Sequence, residues 1–333
     1  MVRVGIPLAL LYYQYYPVWR TFFEALGAEV VVSPPTTQMT LADGSARVVT
    51  DTCLPVKVFF GHVVSLKEEC DCVFVPAIRS VKRKAYNCSK FLGLPDMTRA
   101  VVPEAPPIVD IDIDINRGRA RLYGNIYRLG RRFNWNPLRV RGAAREAWQA
   151  HKDYWEMMSR QGLTPPQAIG QLSGITGEND TYSGTGNGEG LTVAVIGHPY
   201  MLYDELINHR FIYRLQQAGC RVLTPEMVVK ESLERATVRL LGKAPWTYGD
   251  EVAGAGGHYL ESGVDGVIGL MAFGCGPDSL MMDMVRRQAA RLGKIPFMCL
   301  TLEEHTAEAG IVTRLEAFLD MIKRRRGEVG ICA

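Results

Sequence analysis

Short apolar runs alternate along this chain with stretches of helical period, and glycine or proline marks most of the joins. Residues 2–6 form an apolar run that leads into Pro7. Trp19, Phe22, Phe23 and Leu26 then recur at helical spacing over residues 16–26, and Gly27 stops the pattern. Residues 28–32 and 72–75 predict two further strands, ended by Ser33-Pro34-Pro35 and Pro76. The second half follows the same plan. A strand over 191–196 ends in Gly197-His198-Pro199, a helix over 206–218 ends at Gly219, and a strand over 220–223 ends at Thr224-Pro225. A strand of buried type over 266–270, a helix over 279–292, a strand over 296–300 and a closing helix over 313–324 complete it. Strands that alternate with helices predict an α/β fold of parallel sheets covered by helices. Gly5-Ile6-Pro7 lines up with Gly197-His198-Pro199, and Leu11-Tyr12 with Leu202-Tyr203, so the halves read as an internal repeat.

Between the halves the pattern changes. Residues 111–115 alternate Ile and Asp, residues 139–161 are helical, and 174–190 are rich in Gly, Ser, Thr and Asn. No Lys-Ser/Thr follows those glycines, so they predict a linker and not a phosphate loop. The expected division is an N-terminal α/β lobe over 1–102, a connecting segment over 103–190 and a C-terminal α/β lobe over 191–333.

Composition narrows the function classes. At 333 residues, 47% hydrophobic and 22% charged, the chain is ordinary for a globular protein and long enough for two lobes. A net charge of +3 is too small to argue for nucleic acid. The basic clusters (Lys82 to Lys84, Arg131 with Arg132, Lys323 to Arg326) are separated in sequence and read as solvated surface, or as a docking face for an acidic partner or a nucleotide-bearing thioester. No apolar run reaches a transmembrane length and the start does not read as a signal peptide, so no membrane and a cytoplasmic location are expected. Eight cysteines in such a chain argue against a disulfide framework and for metal, redox chemistry or plain burial.

Three cysteines stand apart. Cys53 precedes Leu54-Pro55 and a helical run, which places it at a helix N-terminus where partial positive charge favours a thiolate. Cys88 lies in the polar, basic loop Tyr86-Asn87-Cys88-Ser89-Lys90. Cys275 lies in Gly274-Cys275-Gly276-Pro277, after a buried strand and before a helix, where ligands of open α/β sheets gather. Its flanking glycines let the backbone approach a bulky group, and Asp278 or Ser279 can cap the helix. The other reading of each is a small buried apolar residue. Cys220 and Cys299 read as core, Cys70 and Cys72 as a C-x-C at a strand entrance with metal binding as the lesser reading, and Cys332 as a free tail residue. None of the three sits in the tight local pair of a zinc ribbon or ferredoxin, so they suggest one iron–sulfur cubane gripped between lobes, with an open iron position for substrate.

At this point the chain resembles a known family. Val4-Gly5-Ile6-Pro7 with Leu11-Tyr12-Tyr13, Thr52 to Lys57, Cys88-Ser89-Lys90-Phe91-Leu92-Gly93-Leu94-Pro95-Asp96, Gly274 to Ser279 and Glu304-His305-Thr306-Ala307-Glu308-Ala309-Gly310 look like the acyl-CoA dehydratase activase-related proteins. These are similar to the D-component subunits of 2-hydroxyacyl-CoA dehydratases and to double-cubane cluster proteins. The resemblance implies two flavodoxin-like lobes with a [4Fe–4S] or linked [8Fe–9S] double-cubane cluster in the cleft between them. It implies an oxygen-sensitive protein to which an ATP-hydrolysing activator delivers a low-potential electron. In the dehydratases that electron forms a ketyl radical anion that expels a hydroxyl group; in the double-cubane proteins it reduces small molecules. A double cubane draws on six cysteines and only three candidates stand here, so either one cubane is held or two chains, identical or not, share the larger cluster. The chain carries no ATPase signature of its own, so the activator is a separate partner.

Other polar groups gather near the same strand ends. Glu304, His305 and Glu308 follow the strand ending at Leu300, and His198 follows the strand ending at Ile196. They are candidate catalytic groups, as proton donors or as hydrogen-bond partners of cluster or substrate, against turn and capping roles. Lys57 and Lys90 are candidates for offsetting the charge of a thiolate-bound cluster. The resulting expectation is a reductase or acyl-CoA dehydratase-type component acting on an acyl-CoA or small-molecule substrate, partnered by the activator and by a like or related cluster subunit. The rivals are a non-catalytic cluster-bearing electron-transfer or scaffold subunit and a zinc or metal-free binding module.

Overall fold

The computed structural model describes residues 1–174, 190–243 and 246–327. They form two compact units: residues 1–174 with 246–248, and residues 190–243 with 249–327. The interior of the glycine-rich segment and Cys332 lie outside the described residues.

The first unit is built on β1 (Arg3–Ile6), β2 (Glu29–Val32), β3 (Cys72–Phe74), β4 (Ala77–Ser80), β5 (Ile108–Val109) and β6 (Asp112–Asp114). Its main sheet has the order β2-β1-β3-β5, all parallel, with Val4 opposite Val30 and Cys72. β4 and β6 pair in parallel as a continuation of β3 and β5. Val73 N donates to Pro107 O, Val75 N to Val109 O and Ala77 N to Ile111 O, so the hydrogen bonding runs on past Pro76, whose missing N–H falls between the donating positions, and the register shifts between Ile78 and Ser80. Helices Tyr12–Ala25 and Pro137–Gln161 cover one face, where Phe22, Phe23, Phe74, Leu129 and Val140 form the core.

Burial on both faces explains the strand sequences. Val4, Val73 and Phe74 are at most 1% exposed, so no polar residue is needed on a solvent face and alternation is lost. Helices Gln38–Ser45 and Leu54–Ser65 approach so closely that a Cβ on Gly44 would overlap the Lys57 carbonyl oxygen, and one on Gly61 the Thr40 carbonyl oxygen.

The second unit holds β7 (Thr192–Ile196), β8 (Arg221–Leu223), β9 (Gly266–Ala272) and β10 (Phe297–Leu302) in the parallel order β10-β9-β7-β8. Numbered within its own unit, each main sheet reads 2-1-3-4, the flavodoxin-like order. The repeat read from the sequence is therefore a repeat of strand order. Its tripeptide anchor does not carry over in detail: Gly5 lies inside β1 opposite Val31, whereas Gly197 follows the end of β7.

Several predicted elements shift at their ends. The helix expected over 206–218 shortens to Phe211–Gln217. Asp204 Oδ1 accepts from Leu206 N and Ile207 N, and His209 and Arg210 take positive φ, so the chain turns before it can helix. The helices expected over 279–292 and 313–324 lengthen to Gly276–Leu292 and Glu308–Arg326. Among the described residues no helix is long and apolar enough to cross a membrane.

Candidate functional site

Cys53, Cys88 and Cys275 occupy the same local position. Each is the N-cap of a helix: Cys53 of Leu54–Ser65, Cys88 of Ser89–Leu92 and Cys275 of Gly276–Leu292. Their backbones are extended, with ψ of 146°, 158° and 100°. Pro55 and Pro277 start two of these helices with φ already set, at positions whose N–H would have no partner anyway. None of the three side chains makes a capping hydrogen bond to its helix, and all three are partly exposed. Cys53 and Cys88 belong to the first unit and Cys275 to the second.

The remaining described cysteines differ. Cys70, Cys72 and Cys220 are buried, and Cys70 Sγ donates to Leu66 O. Burial pushes the Cys70 thiol up, and pushes those of Cys72 and Cys220 to about 11. Cys299 on β10 is half-buried and also raised to about 11, by burial and then by the charge of Asp278. Such groups resist becoming thiolates at neutral pH. Among the described residues no three His, Cys, Asp or Glu side chains are arranged to hold a metal ion by themselves.

The Cys88 loop is held from two sides. Asn87 Nδ2 donates to Ile78 O and Asn87 N to Arg79 O, fixing the loop to β4. Trp246 bridges Tyr86 in parallel, Thr247 N donates to Tyr86 O, and Tyr248 packs edge-on to Phe91 while its hydroxyl lies 3.0 Å from that of Tyr15. A segment from far along the chain thus completes the loop. Lys57, expected near a cluster, is buried and donates its ammonium to Thr50 O; Lys90 is half-exposed.

In the second unit the strand order reverses between β7 and β9, the switch point where ligands of open sheets bind. His198 follows β7 and Cys275 follows β9. His198 is buried between two buried carboxylates: Nδ1 lies 2.6 Å from Glu251 Oε2 and Nε2 lies 2.9 Å from Asp278 Oδ1. Burial presses the imidazolium toward neutrality. The charge and contact of Asp278, followed by those of Glu251, outweigh it and lift the pKa to about 10. Asp278 therefore does not cap the helix that Cys275 begins; it faces the imidazolium from the first turn, and Ser279 instead donates to Cys275 O. Glu251 sits in a π-turn, Asp250–Gly254, a device that often accompanies functional sites. Nearby, Glu226 accepts from the Tyr203 hydroxyl at 2.8 Å, and burial raises its pKa to about 7.

The other acid–base candidates are placed differently. His305 is exposed and Glu304 half-buried in the turn after β10, and Glu308 is exposed at the start of the last helix, ion-paired with Arg214. The sequence singled out His198 but missed both of its partners. Glu251 had a weak signal, a charged pair opening the small-residue run Asp250-Glu251-Val252-Ala253-Gly254-Ala255-Gly256-Gly257. Asp278 had an ambiguous one, because an acid in a first turn reads as favourable to the helix end whatever it contacts.

No curated protein matches the chain. A family described as a CoA enzyme activase domain of uncharacterised role matches residues 3–228, which include Cys53, Cys88 and His198. Covering more than half of the 333 residues and agreeing with the resemblance carried by the sequence motifs, that match shows that the chain belongs to the CoA enzyme activase domain family.

Proposed function

We propose that this member of the CoA enzyme activase domain family is an iron–sulfur protein, with Cys53, Cys88 and Cys275 as the ligands of a [4Fe–4S] cluster or of half a shared double cubane. In this reading it takes low-potential electrons from an ATP-hydrolysing activator and reduces a substrate of the acyl-CoA or small-molecule class. The observation that carries it is the shared local geometry of the three cysteines: each is the N-cap of a helix, in an extended backbone, and each is partly exposed. The other described cysteines are thiols that burial holds protonated. The donor set fits the group, because thiolates are the usual protein ligands of such clusters. When bound, the cluster supplies one-electron reduction at low potential.

The chain's own residues do the rest. Asn87 and the Trp246–Tyr248 segment hold the Cys88 loop in place. Gly274, with φ of +76°, turns the backbone immediately before Cys275, and the His198–Asp278 contact ties the first turn after Cys275 to the end of β7. His198 enters this function as a charged, fixed group.

The test is anaerobic purification with iron and sulfide counted per chain: about four irons per chain are expected in either form, and iron retained only by a two-chain assembly marks the shared double cubane. Cys275→Ala is expected to lose iron and brown colour while Cys220→Ala keeps both. Equal iron in the two variants would end the assignment.

A further inference from the structure

Between residues 115 and 145 the sequence holds nine arginines and no aspartate, glutamate or lysine. All nine arginines are exposed. Arg117 pairs with Asp112 and Asp114; among the described residues none of the other eight forms an ion pair. They lie on the helices Arg119–Gly130 and Pro137–Gln161 and the turn between them. For a chain whose net charge is only +3, this is a strong local concentration of one sign.

The face is also aromatic. The Arg131 guanidinium lies 4.7 Å from the ring centre of Trp135 and 5.9 Å from that of Tyr127, and Trp135 is 78% exposed. Leu138, Arg141, Arg145 and Trp148 follow one another at helical spacing along the solvent side of the longer helix, with Leu138 75% and Trp148 59% exposed. The apolar stripes of the same helices, including Leu129, Val140, Ala143 and Ala147, are already used in the first unit's core. What faces solvent is therefore not an amphipathic face awaiting its own core.

We propose that this arginine-aromatic face is the docking surface for an acidic protein, namely the ATP-hydrolysing electron donor of the function proposed above, on which the inference rests. Charge complementarity requires an acidic occupant, and the proposed function supplies a protein partner that must dock. A second copy of the face would set like charges against like charges. Exposed Trp and Tyr interleaved with Arg is the composition of protein–protein hot spots, and the absence of lysine favours the planar, bidentate recognition of carboxylates. A bilayer would demand a continuous apolar face, and these helices bury theirs inward.

The experiment measures binding of the purified activator to the intact, iron-loaded protein at two salt concentrations. The Arg141→Glu/Arg145→Glu variant is expected to weaken binding by about tenfold or more, and affinity in the wild type to fall with salt. Trp135→Ala, a change on the open surface that spares the core, is expected to weaken it by about five- to tenfold. Arg324→Glu/Arg325→Glu, the same charge change on the last helix, is expected to bind within about twofold of wild type. Unchanged binding by Arg141→Glu/Arg145→Glu, an equal loss in the control, or no activator binding by the wild type would overturn the surface. So would phosphatidylserine vesicles or single-stranded DNA bound through these arginines without competition from the activator. Iron counts on the same preparations separate this inference from the function. An iron-loaded variant that still accepts electrons at the wild-type rate defeats the surface alone. A wild-type chain that binds no iron defeats the function, and arginine-dependent binding of the activator to it would keep the surface.

Discussion

His198 sits where an uncharged residue would be the simpler choice, since burying a charge is costly unless partners compensate. Glu251 and Asp278 are that compensation, and removing one member of such a buried set costs about 3–5 kcal/mol because it strands the rest. The pH dependence follows from the raised pKa. A folded value of about 10 against an ordinary 6.5 means that this stabilisation is complete below about pH 6.5 and is lost as the pH rises toward 10. Glu226, raised to about 7 from an ordinary 4.5, acts in the same direction over a lower window, weakening the fold as the pH rises from 4.5 to 7. Chemical denaturation from pH 5 to 10 is expected to show stability declining with pH, and His198→Gln to start lower and to lack most of the decline above pH 6.5. A His198→Gln profile parallel to the wild type would show that another group carries it. Residue by residue, the sequence disclosed what a neighbour in the chain can disclose. A cysteine followed by proline or flanked by glycine is visible as a string. A histidine clamped by acids 53 and 80 positions away is not, because only the folded sheet brings the ends of β7 and β9 beside the π-turn.

At the scale of elements, the buried strands and the long helices were legible because continuous apolar runs and a 3.6 period are both local. Boundaries were less so: Leu206 to Arg210 carries helical spacing yet turns, owing to the Asp204 carboxylate and two left-handed residues. Glycines show the same contrast between string and structure. Gly61 and Gly142 look alike in sequence, both within helices. A Cβ at Gly61 would overlap a backbone carbonyl of the neighbouring helix, whereas one at Gly142 meets nothing within 4 Å. Gly61→Ala is expected to destabilise by about 1–3 kcal/mol or more, since two helix backbones must part. Gly142→Ala is expected to stabilise by about 0.5–1 kcal/mol, because it lowers the chain entropy lost on forming the helix Pro137–Gln161. Thermal melts of the two variants check both, and a shared sign would refute the packing account. Gly61 matters to the candidate site because its helix is the one that Cys53 begins.

For the whole molecule, parallel α/β architecture and a two-part plan followed from strands alternating with helices. The common strand order of the two sheets is the structural form of the repeat that the sequence suggested. The division of the chain between the units followed less simply. Trp246, Thr247 and Tyr248 stand in the midst of the second unit's sequence yet are part of the first, bridging Tyr86 and meeting Tyr15 and Phe91. Three residues without periodicity or motif carry no advance notice of such a role. Trp246→Ala is expected to loosen the Cys88 loop, so that Cys88 in the metal-free protein alkylates severalfold faster than in the wild type while Cys53 reacts as before. Equal rates at Cys88 would show that the segment is not its support.

That insertion also sets an order of events during synthesis. A nascent polypeptide leaving the ribosome displays both β4 and the Cys88 turn long before Tyr248 emerges. The first unit therefore waits for its last piece through most of translation, and no cut between the halves of the gene yields an amino-terminal fragment with its full complement of parts. The Cys88 thiol spends that interval without its strap, so how long it stands unsupported during synthesis is a property of chain topology as well as of sulfur chemistry.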